Sequence, residues 1–168
     1  MEKKEKMKKI YLAGGCFWGV EAYFKDIEGV ESTLVGYANG NTKDTSYENL
    51  YKTNHAETVE IKYDGKEESL KRILEYFYYI IDPFSINKQG NDVGSQYRSG
   101  IFSNDKKDLE FSRKFLDQKQ KNEDRKIQIK VEKLENFVKA EDYHQDYLEK
   151  NPNGYCHINL LDKPNLVK

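Results

Sequence analysis

Apolar and polar positions change period several times along the chain, and each change marks an element. Residues 8–13 read as a first strand, ended by Gly14-Gly15. Phe17, Val20, Phe24 and Ile27 then recur at helical spacing, which predicts a helix over 16–26. Residues 30–38 read as a strand, broken by Asn39-Gly40-Asn41, and 42–54 as a polar loop with a short helix. Over 55–64, Glu57, Val59, Ile61 and Tyr63 share one parity while Thr58, Glu60 and Lys62 take the other, the pattern of a half-buried strand. Leu70, Ile73, Leu74, Phe77 and Ile81 form one stripe of a helix over 69–81, stopped by Pro83. A long loop holding Gly90 and Gly94 leads to a strand over 97–102. Asn104 is expected to cap a helix over 105–121 with Leu109, Ser112, Phe115 and Leu116 inward. Ile127, Ile129 and Val131 alternate as a strand, and 141–150 reads as a short helix before an irregular tail.

The order β-α-β-β-α-β, followed by α-β-α, predicts an α+β fold: a ferredoxin-like split β-α-β sandwich with a mixed sheet and a long irregular C-terminal tail. The length of 168 residues suits a single domain over 1–168, with residues 1–8 as a basic lead-in and 151–168 as a coil tail carrying Cys156. Lys and Arg number 28 against 29 Asp and Glu, a net charge of −1, so neither nucleic acid nor an anionic membrane is an expected partner. No apolar run approaches a membrane span and no apolar signal core follows the basic start, so a cytoplasmic protein is expected.

Two cysteines, Cys16 and Cys156, are too few and too far apart for a disulfide scaffold, and a transient or catalytic role is the sharper reading. Glycines ahead of Cys16 allow a sharp strand-to-helix turn, which places the thiol at a helix N-terminus where its pKa can fall. A lone cysteine packing as a small hydrophobe is the alternative. Phe17 lies on the helix's apolar stripe and Trp18 off it; each can pack or can wall an apolar pocket beside the sulfur. Glu57 has the parity of its strand's apolar face, so burial would raise its pKa and suit it to act as a general acid, unless a bulge turns it to solvent or an ion pair holds it. Asp92 and Tyr97 bracket a glycine-flanked polar loop, where site residues are common and where an Asx turn is the plainer explanation. Cys156-His157, His55 and His144 show no metal-ligand spacing and no nucleotide-binding glycine pattern is present, so no cofactor and no metal are expected.

Gly15-Cys16-Phe17-Trp18-Gly19 is accompanied by Gly36-Tyr37, His55-Ala56-Glu57, Asp82-Pro83 and the run from Asn87 through Gly94-Ser95-Gln96-Tyr97-Arg98-Ser99. Ala140-Glu141-Asp142-Tyr143-His144-Gln145 and Asn151-Pro152-Asn153-Gly154-Tyr155-Cys156 follow. In these motifs and their order the chain resembles the A-type peptide-methionine sulfoxide reductases, which reduce the S epimer of methionine sulfoxide. The resemblance implies that Cys16 is the nucleophile and that Phe17 and Trp18 wall the site for the substrate's methyl group. It implies that Glu57 protonates the sulfoxide oxygen, that Tyr47 and Tyr97 hydrogen-bond it, and that Asp92 lies in the same polar pocket. Cys156 matches the C-terminal resolving cysteine, which would convert a Cys16 sulfenic acid into a disulfide for thioredoxin or another thiol to reduce. The implied role is repair of proteins after oxidative stress, on free or protein-bound substrate, by a monomer with a linked dimer as the alternative on oxidation. Two departures, Asn39 and Asn54 where glycine is common in the family, suit asparagine's tolerance of left-handed backbone. Two rival readings are a Cys16 hydrolase or acyl transferase with His55 as base, and a non-catalytic methionine-peptide module.

Overall fold

The computed structural model describes residues 6–156 and 158–161. His157 and most of the lead-in and of the last tail residues thus lie outside the described residues. The strands are β1 (Lys8–Gly14), β2 (Val30–Ala38), β3 (Ala56–Tyr63), β4 (Lys88–Gln89), β5 (Asp92–Val93), β6 (Ser99–Ser103), β7 (Lys130–Lys133) and β8 (Phe137–Lys139). The helices are α1 (Phe17–Phe24), α2 (Leu50–Thr53), α3 (Glu67–Ile80), α4 (Lys106–Gln120) and α5 (Tyr147–Lys150). One six-stranded sheet runs β7-β6-β1-β3-β2-β8. Its inner four strands, β6-β1-β3-β2, have the split β-α-β order, and the parallel β6–β7 pair beside antiparallel neighbours makes the sheet mixed.

Alternation along the strands builds the main core. Ile10 and Leu12 of β1 and Val59 and Ile61 of β3 pack with Phe17 and Val20 of α1 and Ile73, Leu74 and Phe77 of α3. Phe115 and Leu116 of α4 join the same cluster. Opposite-parity residues Tyr11, Ala13, Ala38, Ala56 and Phe102 form a smaller cluster covered by Leu134 and Phe137. The sheet is therefore covered on both faces, and this buries Thr58 although its parity is the polar one.

Four boundaries differ from the sequence reading. Asp105, not Asn104, caps α4: its carboxylate accepts from the Lys107 and Asp108 N–H groups, two of the donors a helix start leaves unpaired. The strand expected from Ile127 begins only at Lys130, because Gln128 N–H donates to the Pro83 carbonyl instead of to the sheet. Tyr97 belongs to a 3-10 turn, Ser95–Tyr97, that delays β6 to Ser99. The helix expected over 141–150 is two short pieces, a 3-10 turn Asp142–His144 and α5, parted by Asp146 at φ 53°. There the Gln145 amide bonds both the N–H and the carbonyl of Val35, and Asp146 N–H donates to Glu21 Oε1. Partners across the fold thus replace helical ones and pin the C-terminal segment to β2 and α1. The departures Asn39 and Asn54 have φ of 53° and 58°, the left-handed conformation anticipated for them. Arg98 ties both loops by donating to the Asn39 and Asn54 carbonyls.

Gly40 is required for a different reason. A Cβ there would overlap the ring of His55, which is fully buried and joined through Nδ1 to Thr53 Oγ1. Gly40→Ala is expected to destabilise the protein by about 1–3 kcal/mol, the usual scale of overpacking. Chemical denaturation checks this, with a lowered midpoint at unchanged slope as the expected outcome.

Candidate active site

β1 ends at Gly14, Gly15 takes φ 88°, and Cys16 occupies the N-cap position of α1. The turn is tight: a Cβ on Gly14 would come within 2.8 Å of Phe77 on α3. Glu57 enters from the adjacent strand β3. Its Oε1 accepts from Phe17 N–H at 3.3 Å, and the next N–H of α1, that of Trp18, is directed at the Cys16 sulfur. Thiol and carboxyl therefore share the first turn of one helix.

Burial decides their protonation. Cys16 is 7% exposed and Glu57 2% exposed. Burial pushes the thiol pKa far up, the Glu57 charge adds to the push, and the Trp18 N–H only partly opposes it. The fall in thiol pKa that a helix start allows is therefore not realised here, because desolvation outweighs the Trp18 N–H. Glu57 is raised to about 8, again by burial first, with the Phe17 N–H pulling down and the Asp92 charge pushing up. At neutral pH the two groups face each other as a thiol and an un-ionised carboxyl.

Tyr47 lies on a 3-10 turn after β2 and Tyr97 on the turn before β6. Their hydroxyls meet within hydrogen-bonding reach, and both feel the Cys16 and Glu57 charges, which places them around the same pocket. Burial raises both hydroxyl pKa values, so each stays a donor. Asp92 also acts on Cys16 and Glu57; its Oδ2 is buried with no partner among the described residues. Cys156 returns on the tail close enough to add to the upward push on Cys16, and its thiol bonds the Ile158 carbonyl at 3.0 Å. Tyr155 beside it reaches the Asp92 carboxyl. Both cysteines are free.

Phe17 is buried and tilted against Tyr37 at 5.6 Å. Trp18 is partly buried, stacked on Tyr147 at 3.8 Å, with its indole N–H on His144 Nδ1 at 3.1 Å. All eight candidate residues therefore converge on the start of α1. His55 does not join them: its ring is held by Thr53 and packed under Gly40, so the hydrolase reading loses its base. The histidine at the site is His144, and with it comes Glu141, whose carboxylate accepts from Tyr37 OH at 2.6 Å and from Tyr47 N–H at 3.2 Å. No periodicity singles these two out, since they sit in a short irregular segment; only their place in the motif from Ala140 to Gln145 marks them.

A mixed α+β sheet that sets a cysteine thiol and a buried carboxyl on one helix start defines a site built for thiol chemistry assisted by proton transfer. Residues 8–168 match the family model described as peptide methionine sulfoxide reductase, and the chain belongs to that family. It is 56% identical over 156 residues, 92% of this chain and 94% of the other, to a peptide methionine sulfoxide reductase MsrA of Ureaplasma urealyticum serovar 10. The crystal structure of Mxr1 from Saccharomyces cerevisiae in reduced form superposes with a TM-score of 0.84 at 39% identity, covering 93% of this chain and 92% of that one. Mxr1 in complex with Trx2 matches with a TM-score of 0.61 at 27% identity, over 88% of each chain. No helix among the described residues is long and apolar enough to cross a membrane.

Proposed function

We propose that this chain reduces the S epimer of methionine sulfoxide, free or within proteins, and that Cys16 and Glu57 carry out the oxygen transfer. The observation that carries the reading is the buried Glu57 carboxyl held beside the buried Cys16 thiol by the first turn of α1. The substrate's methyl group rests against Phe17 and Trp18, and its oxygen lies toward Glu57, Tyr47 and Tyr97. The Cys16 sulfur attacks the sulfoxide sulfur while Glu57 donates its proton to the oxygen. Tyr47 and Tyr97 donate hydrogen bonds to that oxygen as its charge grows. The oxygen then passes from the substrate sulfur to the Cys16 sulfur: the substrate's sulfur–oxygen bond and the transient sulfur–sulfur bond break, a sulfur–oxygen bond forms on Cys16 as a sulfenic acid, methionine leaves, and the thiol's own proton restores Glu57. Thiol plus sulfoxide thus becomes sulfenic acid plus thioether, with no further reactant.

The Cys156 thiol then condenses with the sulfenic acid, forming a disulfide and releasing water. A thioredoxin-type dithiol reduces the disulfide by exchange. The Mxr1 complex with Trx2 supports this partner class, and the place of Cys156 near Cys16 supports resolution within one chain by a monomer. A reducing cytoplasm suits a cycle that consumes thiols, and the biological role would be repair of oxidised proteins. Separated epimers test the reading: methionine is expected from the S sulfoxide with dithiol present and at a far lower rate from the R sulfoxide. Equal rates on both would overturn the stereochemical assignment, and none on either the proposed function.

A further inference from the structure

Trp18 is held on two sides. Its face lies on Tyr147 with centroids 3.8 Å apart and planes 10° apart, and its edge N–H donates to His144 Nδ1 at 3.1 Å. Stacking alone tolerates either flip of the indole, because the two faces of the planar ring stack equally well; the hydrogen bond selects one. An indole nitrogen can only donate, so His144 Nδ1 must be bare and the ring neutral with its hydrogen on Nε2. Nothing else fixes that tautomer, since Nε2 is buried without a partner among the described residues. His144 is itself immobilised: it is 2% exposed and packed against Phe17 at 5.3 Å, Tyr47 at 4.8 Å and Tyr143 at 4.2 Å. The same ring thus touches both residues assigned to the methyl wall and one of the two oxygen-facing tyrosines.

We propose that His144 is a positioning residue: its Nδ1 sets the flip of the Trp18 indole and so the shape of the cup that receives the substrate's methyl group. This inference rests on the function proposed above. Burial supports it by favouring the neutral ring, with Glu141 the charged group acting in the other direction. A purely space-filling role predicts that any ring of similar size would serve.

Trp18 is the only tryptophan in the chain, so one indole N–H resonance reports on the bond. In the 15N-labelled full chain, His144 is expected as the Nε2-protonated tautomer, with scalar coupling across the hydrogen bond between Trp18 Nε1 and His144 Nδ1. His144→Phe is expected to move the indole resonance upfield, abolish the coupling and raise the half-saturating sulfoxide concentration in single turnovers by roughly tenfold, the scale of one hydrogen bond. Its saturating rate should change by less than about threefold, the mark of lost binding and not lost chemistry. His144→Asn places Oδ1 near the Nδ1 position and is expected to restore most of the indole shift and of the half-saturation, but not the nitrogen–nitrogen coupling, since its acceptor is oxygen. Protonation at Nδ1 in the wild-type chain, or wild-type saturation in His144→Phe, would overturn the proposal. If His144→Phe does not fold, the wild-type tautomer and His144→Asn decide. An intact bond without turnover of any sulfoxide defeats the functional reading and not this one; turnover without the bond does the reverse.

Discussion

Cys16→Ser is expected to fold with near wild-type stability and to release methionine from the S sulfoxide more than about ten-thousand-fold more slowly, the loss typical when a covalent nucleophile is removed. The exchange alters one buried atom, so packing against the core around α1 is nearly kept. A serine hydroxyl is far less nucleophilic toward sulfur, and it has no counterpart to the sulfenic acid that lets oxygen leave the substrate. Methionine quantified in single turnovers, beside a thermal melt, checks both halves. A rate within tenfold of wild type would remove Cys16 from the reaction.

Glu57→Gln is expected to move activity and stability in opposite directions. Without the proton donor the single-turnover rate should fall by about a hundred- to a thousand-fold while substrate still binds. In the wild-type chain that rate should decline as pH rises through about 8, where Glu57 ionises, and in Glu57→Gln this decline should vanish. For stability, the folded pKa lies above the ordinary carboxylate value of 4.5, so the folded chain holds a proton that the unfolded chain has lost. Stability associated with this group is fully present below the unfolded value and falls as pH rises through about 8. Glutamine has no charge to bury. Its advantage should be small near pH 4 and grow to on the order of 2 kcal/mol or more at pH 9. Urea denaturation of both proteins at the two pH values measures it. A variant that is less stable at pH 9 would mean that Glu57 is stabilised as a carboxylate, and the acid role would fail with it.

Much of this site can be read from one sequence because its pieces lie on regular elements. Glu57 shares parity with Val59, Ile61 and Tyr63, and strand alternation alone carries it inward. Cys16 follows two glycines and precedes a helical stripe, so its N-cap position was legible too. The sign of its pKa shift was not, because desolvation depends on what closes over the thiol. Phe17, Tyr47, Tyr97 and the tail arrive from four separate segments, and their convergence is a tertiary event. His144 and Glu141 escaped for a related reason. The segment that carries them has neither helical nor strand period, being shaped by Gln145 bonding to Val35 and Asp146 to Glu21. The small hairpin of β4 and β5, which presents Asp92, and the three-residue strand β8 are likewise too short to leave a pattern.

Intact-mass measurement under non-reducing conditions, after one equivalent of the S sulfoxide and with no external thiol, tests the oxygen transfer most directly. The wild-type chain should lose two hydrogens as one methionine is released, with the new disulfide joining Cys16 to Cys156 on peptide mapping. Cys156→Ser should instead gain one oxygen, held on Cys16 as the sulfenic acid. Methionine released with neither cysteine changed in mass would contradict the account.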